Sequence, residues 1–166
     1  MKREFVTPIS EEEIKSLQVG DMVYLSGTIY CGRDAVLPRI CRLADEGHLG
    51  DINLVGSVIF HTAVSPAGVG PTSSNKVEIE GSIAKLSEAG VRMHLGKGAI
   101  GGDTVAELNK HGSVFAVIPP ITALLSNNII SQRVVAFPEL GMEAFHELQV
   151  KGYPCIIAAA HNKSIY

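Results

Sequence analysis

The sequence predicts an α/β layered domain, on three observations. Strand-like runs rich in Val, Ile, Leu and Tyr alternate with stretches whose apolar residues recur at helical spacing. Helix starts and stops carry their own markers, among them a capping box at Ser10-Glu11-Glu12-Glu13 and a glycine at Gly112. Strands hand over to helices at polar or glycine-rich turns. A chain of 166 residues that is 46% hydrophobic and 19% charged can bury a core of its own, so residues 1–166 are expected to form a single domain.

In order along the chain, the capping box opens a short helix through Ile14 and Leu17 that stops at Gly20. Residues 22–31 read as a strand interrupted at Gly27. Past Gly32-Arg33-Asp34, the positions Leu37, Ile40, Cys41 and Ala44 fall on one helical face, with Asp34 the expected cap and Pro38 acceptable because it lies in the first turn. Residues 54–63 predict a second strand ending at His61-Thr62, and residues 65–70 a Pro/Gly loop. Ser73 or Ser74 then caps a helix through Val77, Ile79, Ile83 and Leu86. Residues 91–95 form a short strand, and Asp103 caps a helix through Val105, Ala106 and Leu108 that ends at His111-Gly112. Strands at residues 113–118, 134–137 and 153–160 follow, with a helix expected over 121–127 and a turn with a short helix over 138–145. The spacing does not disclose strand order.

Composition excludes several function classes. Net charge is −3 and the basic residues are scattered, which argues against a nucleic-acid binder. No run reaches the roughly 18 apolar residues that span a bilayer, so no membrane association is expected. Met1-Lys2-Arg3-Glu4-Phe5 lacks the apolar segment of a secretory signal, and the expected location is the cytoplasm. The three cysteines show no CxxC spacing, which speaks against a zinc site, a disulfide framework or an iron–sulfur cluster held by this chain. Cys41 and Cys155 are expected as small buried hydrophobes, whereas Cys31, beside Arg33, either joins them or lines a site.

Three turns carry the candidate chemistry. In Gly70-Pro71-Thr72-Ser73-Ser74-Asn75-Lys76 a rigid turn delivers hydroxyls and a cation to a helix start, where unpaired N–H groups and the helix dipole favour a carboxylate or phosphate. The alternative is an ordinary cap beside a solvated lysine. Arg33 sits where a strand becomes a helix and can present a planar fork to a carboxylate, or pair with Asp34 or a surface neighbour. Gly96-Lys97-Gly98 brings a charge over closely approaching backbone. The longer run to Gly101 matches GxGxxG, but the strand that follows ends in Pro119-Pro120 without the acidic residue that binds a ribose, so the dinucleotide reading fails on context. His61, at a strand end, is either structural or an acid–base group.

Set side by side, Leu25-Ser26-Gly27-Thr28-Ile29-Tyr30-Cys31-Gly32-Arg33-Asp34, the Gly70–Lys76 stretch spelled out above, Gly96-Lys97-Gly98 and Glu139-Leu140-Gly141-Met142-Glu143-Ala144 resemble, in order, the β subunit or C-terminal domain of iron–sulfur hydro-lyases of the class I fumarase and L-tartrate dehydratase type. The resemblance implies a swivelling β/β/α domain that works with an α subunit holding the [4Fe–4S] cluster, and further oligomerisation. It implies that Arg33 holds a carboxylate of a small dicarboxylate substrate, with Lys76, Ser73 and Gly96 alongside, and that Thr72 and Lys97 are catalytic. No metal ligand is expected here. The chain departs from the family pattern at Lys76, usually arginine, at Leu37, usually histidine, at His61-Thr62-Ala63-Val64, usually HxGP, and at His161, usually aspartate. These departures keep a tartrate-type β subunit and a non-catalytic dicarboxylate-binding or regulatory paralogue open beside the fumarase reading.

Overall fold

The computed structural model describes residues 2–33, 35–65, 68–69, 76–96, 100–118 and 128–164. Strand β1 (Lys2–Val6), helix α1 (Glu11–Lys15), β2 (Met22–Gly32) and α2 (Leu37–Glu46) are followed by β3 (Val58–His61) and a small hairpin of β4 (Val64–Ser65) with β5 (Gly68–Val69). Then come α3 (Lys76–Glu88), β6 (Met93–Gly96), α4 (Gly102–His111), β7 (Val114–Val117) and β8 (Ile129–Ala136). A 3-10 helix over Pro138–Glu143, β9 (Phe145–Ala160) and β10 (Lys163–Ser164) complete the order. The architecture is mixed α/β.

Among the described residues, eight strands form one sheet. β2, β3, β6 and β7 are parallel neighbours, and β1 runs parallel along the first half of β2. β9 is antiparallel to β2, β7 and β8. Because β7 reaches β9 and β9 reaches β2, the path β2–β3–β6–β7–β9 returns to its start and the sheet closes around its own interior. That interior takes alternate residues of each strand, as the period of two requires: Val23, Leu25, Ile29 and Cys31 with Phe60, Leu95, Tyr153 and Cys155, all of them fully buried. Outside it, Leu37, Ile40 and Cys41 of α2 pack against Tyr30, Ile59 and Phe145, while Ile83 of α3 and Leu108 of α4 pack against Phe115 and Ala158. Each such side chain contributes about 1.5–3 kcal/mol when fully buried.

The capping box at Ser10 forms with both of its bonds, and Pro38 occupies the first turn of α2. Gly27 marks a bulge in the β2–β9 register. Two caps differ from expectation. Helix α2 starts later than Asp34 would place it, with Val36 at the N-cap and the carbonyl of Arg33 accepting from Val36 N and Leu37 N; Asp34 itself lies outside the described residues. Helix α4 is capped at Gly101, with Asp103 inside its first turn, because the Glu80 carboxylate of α3 accepts the Gly101 N–H at 2.7 Å. The last strand begins at Phe145 rather than Tyr153, since two neighbours, β2 and β8, hold residues 145–150 extended. The β4–β5 pair begins at Val64, one residue ahead of the expected 65–70 loop, and otherwise occupies that loop. Ser73, Ser74 and the expected helix at 121–127 lie outside the described residues.

Candidate functional site

The parallel strands end level with one another. Cys31 is paired with Phe60, Phe60 with Leu95, and Leu95 with Ala116; one residue later Gly32 meets His61 and Gly96 meets Val117. The segments that follow Gly32, His61 and Gly96 therefore leave from one edge of the sheet. In open α/β sheets and closed α/β barrels alike, the carboxyl ends of parallel strands are the usual ligand-binding edge. The register thus brings two of the sequence-predicted positions, Arg33 and Gly96, to the same crest.

Both crest glycines sit where a side chain would be crowded, Gly32 more severely than Gly96. A Cβ on Gly32 would lie 2.7 Å from Val36 Cγ1 and 3.1 Å from Phe145 Cδ1, and one on Gly96 would lie 3.1 Å from Phe115 Cζ. Packing alone accounts for glycine at Gly32, whereas at Gly96 a Cβ would need the Phe115 ring to give by a few tenths of an ångström.

Arg33 is held rather than loose. Its Nε donates to Glu143 Oε1 at 2.7 Å and Oε2 at 3.1 Å, and its Nη2 lies 2.6 Å from Glu143 Oε1. Glu143 belongs to the Glu139–Ala144 motif, so the first and last of the quoted motifs meet here across 110 residues of sequence. The 3-10 helix is fastened a second time by Glu139, 3.6 Å from Arg39 of α2, whose guanidinium also lies 5.4 Å from the Phe137 ring centroid. Phe137 adopts φ 55, a left-handed conformation unfavourable for a bulky residue, as it turns the chain into that helix. The Glu143 carboxylate grips the Nε–Nη2 edge of Arg33 and so fixes the plane of a group with five donors. Sequence inspection offered no signal for this pair, because nothing local links residues 33 and 143.

Thr72, Ser73 and Lys97 lie outside the described residues, as does the side chain of Lys76, the first residue of α3. His161, also singled out, is far from the crest chemistry in its bonding: its Nε2 lies 2.6 Å from the carbonyl of Leu17.

His61 is buried and bonded to a second histidine that sequence reasoning did not single out. Its Nε2 lies 3.0 Å from His94 Nδ1, and His94 Nε2 lies 2.9 Å from Ser87 Oγ. Burial lowers the pKa of His61 to about 3, and burial together with the neighbouring His61 lowers that of His94. Both rings are neutral near pH 7, so neither is a poised acid or base.

The cysteines do not fit a cluster. Cys31 and Cys155 face the closed interior at 0% exposure, and Cys41 packs under α2. Burial raises all three thiol pKa values, that of Cys155 to about 12, whereas cluster ligands are thiolates. Among the described residues no group of three His, Cys, Asp or Glu is placed to hold a metal ion. Of the two readings open for Cys31, burial is the one the structure bears out, since Val23, Leu25, Ile29 and Cys31 of β2 all point inward. The dinucleotide reading also loses its ground, because the N-terminus of α4, where a pyrophosphate would rest, carries Glu80 and Asp103.

The profile of the family described as Fumarase C-terminus matches residues 2–166. The chain belongs to this fumarase C-terminal family. It is 31% identical over 173 residues to "Putative fumarate hydratase class I" of Geobacillus stearothermophilus, covering 96% of this chain and 32% of that protein. It is 31% identical to "Putative L(+)-tartrate dehydratase subunit beta" of Methanocaldococcus jannaschii, covering 95% of this chain and 88% of that protein. Against the L(+)-tartrate dehydratase subunit beta of Escherichia coli K12 the identity is 29%, over 96% of this chain and 83% of that protein. This fumarase C-terminal chain therefore spans about a third of the Geobacillus relative and most of the two tartrate dehydratase subunits. The relatives' names are those of hydro-lyases. Among the described residues no helix is long and apolar enough to cross a membrane.

Proposed function

We propose that this fumarase C-terminal chain is the β subunit of a hydro-lyase that interconverts fumarate and malate, a single cytoplasmic β/β/α domain swivelling against an α subunit within a larger oligomer. The observation that carries the reading is the Arg33 guanidinium, set on the crest of the parallel strands with its plane fixed by Glu143. Removing the proton beside a carboxylate turns that carboxylate into an aci-carboxylate of greater negative charge. Donors already in place at its oxygens stabilise that state more than the ground state.

In this reading Arg33 holds one substrate carboxylate. Lys76 and Lys97 add cations, the Ser73 hydroxyl and the Gly96 backbone complete the grip, and Thr72 with Lys97 carries the proton. The [4Fe–4S] cluster belongs to the α subunit, since the buried thiols of this chain do not suit it. A tartrate substrate is the second reading, favoured by the names of the relatives that match this chain over most of their own length. A non-catalytic paralogue on the same scaffold is the third, motivated by Lys76 and Leu37.

Anaerobic co-expression with an α subunit tests all three. The chain alone is expected to be colourless and inactive, the complex to convert malate to fumarate, and Arg33→Ala to lower kcat/KM by roughly 30- to 1,000-fold, the worth of one such anion-binding donor. Preference for L-tartrate over malate would select the second reading. A complex with an intact cluster and no turnover of any small hydroxy-dicarboxylate refutes the first two.

A further inference from the structure

Behind the crest, three buried side chains form one hydrogen-bonded row. Ser87 Oγ of α3 lies 2.9 Å from His94 Nε2 of β6, and His94 Nδ1 lies 3.0 Å from His61 Nε2 of β3. The three residues are 2%, 0% and 1% exposed. The row ends at His61 Nδ1, which is closed off from solvent and meets no hydrogen-bond partner among the described residues.

Neutral imidazoles allow two proton arrangements along this row. In the first, His61 Nε2–H donates to His94 Nδ1 and His94 Nε2–H donates to Ser87; the serine hydroxyl proton and the His61 Nδ1 lone pair are both left over. In the second, the Ser87 hydroxyl donates to His94 Nε2 and His94 Nδ1–H donates to His61 Nε2, leaving only His61 Nδ1–H. An unpaired buried polar group is costly, so the arrangement with one such group prevails over the arrangement with two. The free end of the row is then an N–H donor of fixed direction.

We propose that His61, oriented through Ser87 and His94, is a carboxylate-binding residue of the crest site, its Nδ1–H donating to an oxygen of the bound dicarboxylate. Its position supports this: β3 ends at His61, in register with Gly32, and Arg33 follows Gly32. An arginine supplies charge to a dianion, and a neutral imidazole donor adds direction without a second counter-charge to desolvate. The choice of a dicarboxylate rests on the proposed function; the proton arrangement does not.

Asparagine and glutamine separate ligand binding from packing. The amide of His61→Asn can place a donor near the Nδ1 position and gives up the His94 contact, whereas His61→Gln reaches the Nε2 position, keeps that contact and gives up the donor. In the assembled complex, succinate affinity by calorimetry is expected to fall about tenfold or more in His61→Gln and to stay within about threefold in His61→Asn. Equal losses, or the reverse order, overturn the assignment. Ring 15N spectra of the wild-type complex decide independently of how the variants fold. His61 is expected as the Nδ1–H tautomer, with that resonance moving on addition of succinate; in ligand-free Ser87→Ala, where either arrangement leaves one N–H and one lone pair unpaired, a mixture of the two tautomers is expected. A wild-type Nε2–H tautomer, or an Nδ1 signal indifferent to succinate, overturns the proposal. A complex that behaves as expected in binding and spectra yet turns over no hydroxy-dicarboxylate sinks the proposed function alone, and an active complex in which the two variants bind alike sinks the histidine assignment alone.

Discussion

Lowering the pH from 7 to 5 is expected to take about 2 kcal/mol from the stability of this fold through His61 alone. In the unfolded chain the imidazole takes up a proton near its ordinary 6.5, while in the native state burial keeps it neutral down to about 3. Between those values the unfolded chain binds more protons than the native one, so stability is fully present above 6.5 and is lost as acid favours unfolding. At pH 5 the window has been entered by about 1.5 units, and at roughly 1.36 kcal/mol per unit the loss is about 2 kcal/mol. His94, the titratable group facing His61, is shifted in the same direction and adds to the effect. Against a total of about 5–15 kcal/mol for a typical domain this is a large share. Urea unfolding at pH 7, 6 and 5 measures it, with His61→Asn alongside so that the carboxylates common to both proteins cancel. The variant should lose stability less steeply as the pH falls. Identical pH dependence in the two proteins would refute the reasoning, whatever their absolute stabilities.

Three further outcomes follow from the geometry. Glu143→Gln should cost less than about 1 kcal/mol in urea unfolding, because both side chains of the Arg33 pair are partly exposed, yet lower kcat/KM of the complex about tenfold by releasing the plane of the guanidinium; an unchanged kcat/KM would detach Glu143 from the site. Gly32→Ala forces a Cβ to within 2.7 Å of Val36 Cγ1 and should cost about 1–3 kcal/mol, seen as a lower Tm; an unshifted Tm would show that the crest relaxes freely. Cys31 and Cys155, both at 0% exposure, should react with an aromatic disulfide reagent only as fast as the chain unfolds, and rapid labelling of the native protein would contradict their inward orientation.

Legibility in the sequence followed distance along the chain. The Ser10 capping box, Pro38 in the first turn of α2, the Gly112 C-cap and the interruption of β2 at Gly27 all appear as expected, since each depends on residues within a few positions of one another. The four motifs also sufficed to suggest the family. Where a partner from elsewhere in the chain intervened, expectation failed: Glu80 of α3 moved the cap of α4, and β2 with β8 extended β9 well ahead of Tyr153. Of the proposed grip, Arg33 and Gly96 were visible as crest residues, but Glu143 was visible only as a member of a motif, and His94 and Ser87 not at all.

The sequence by itself determined the alternation of strands and helices, their local caps and turns, and the order of the motifs, because those depend on backbone preferences and side-chain bonds that span one or two turns of chain. Only the tertiary structure decided that the sheet closes through β9, that Glu143 fastens Arg33 across 110 residues, and that two histidines and a serine align behind the crest. Those contacts arise from strand register and helix packing, which bring together side chains that no spacing rule connects.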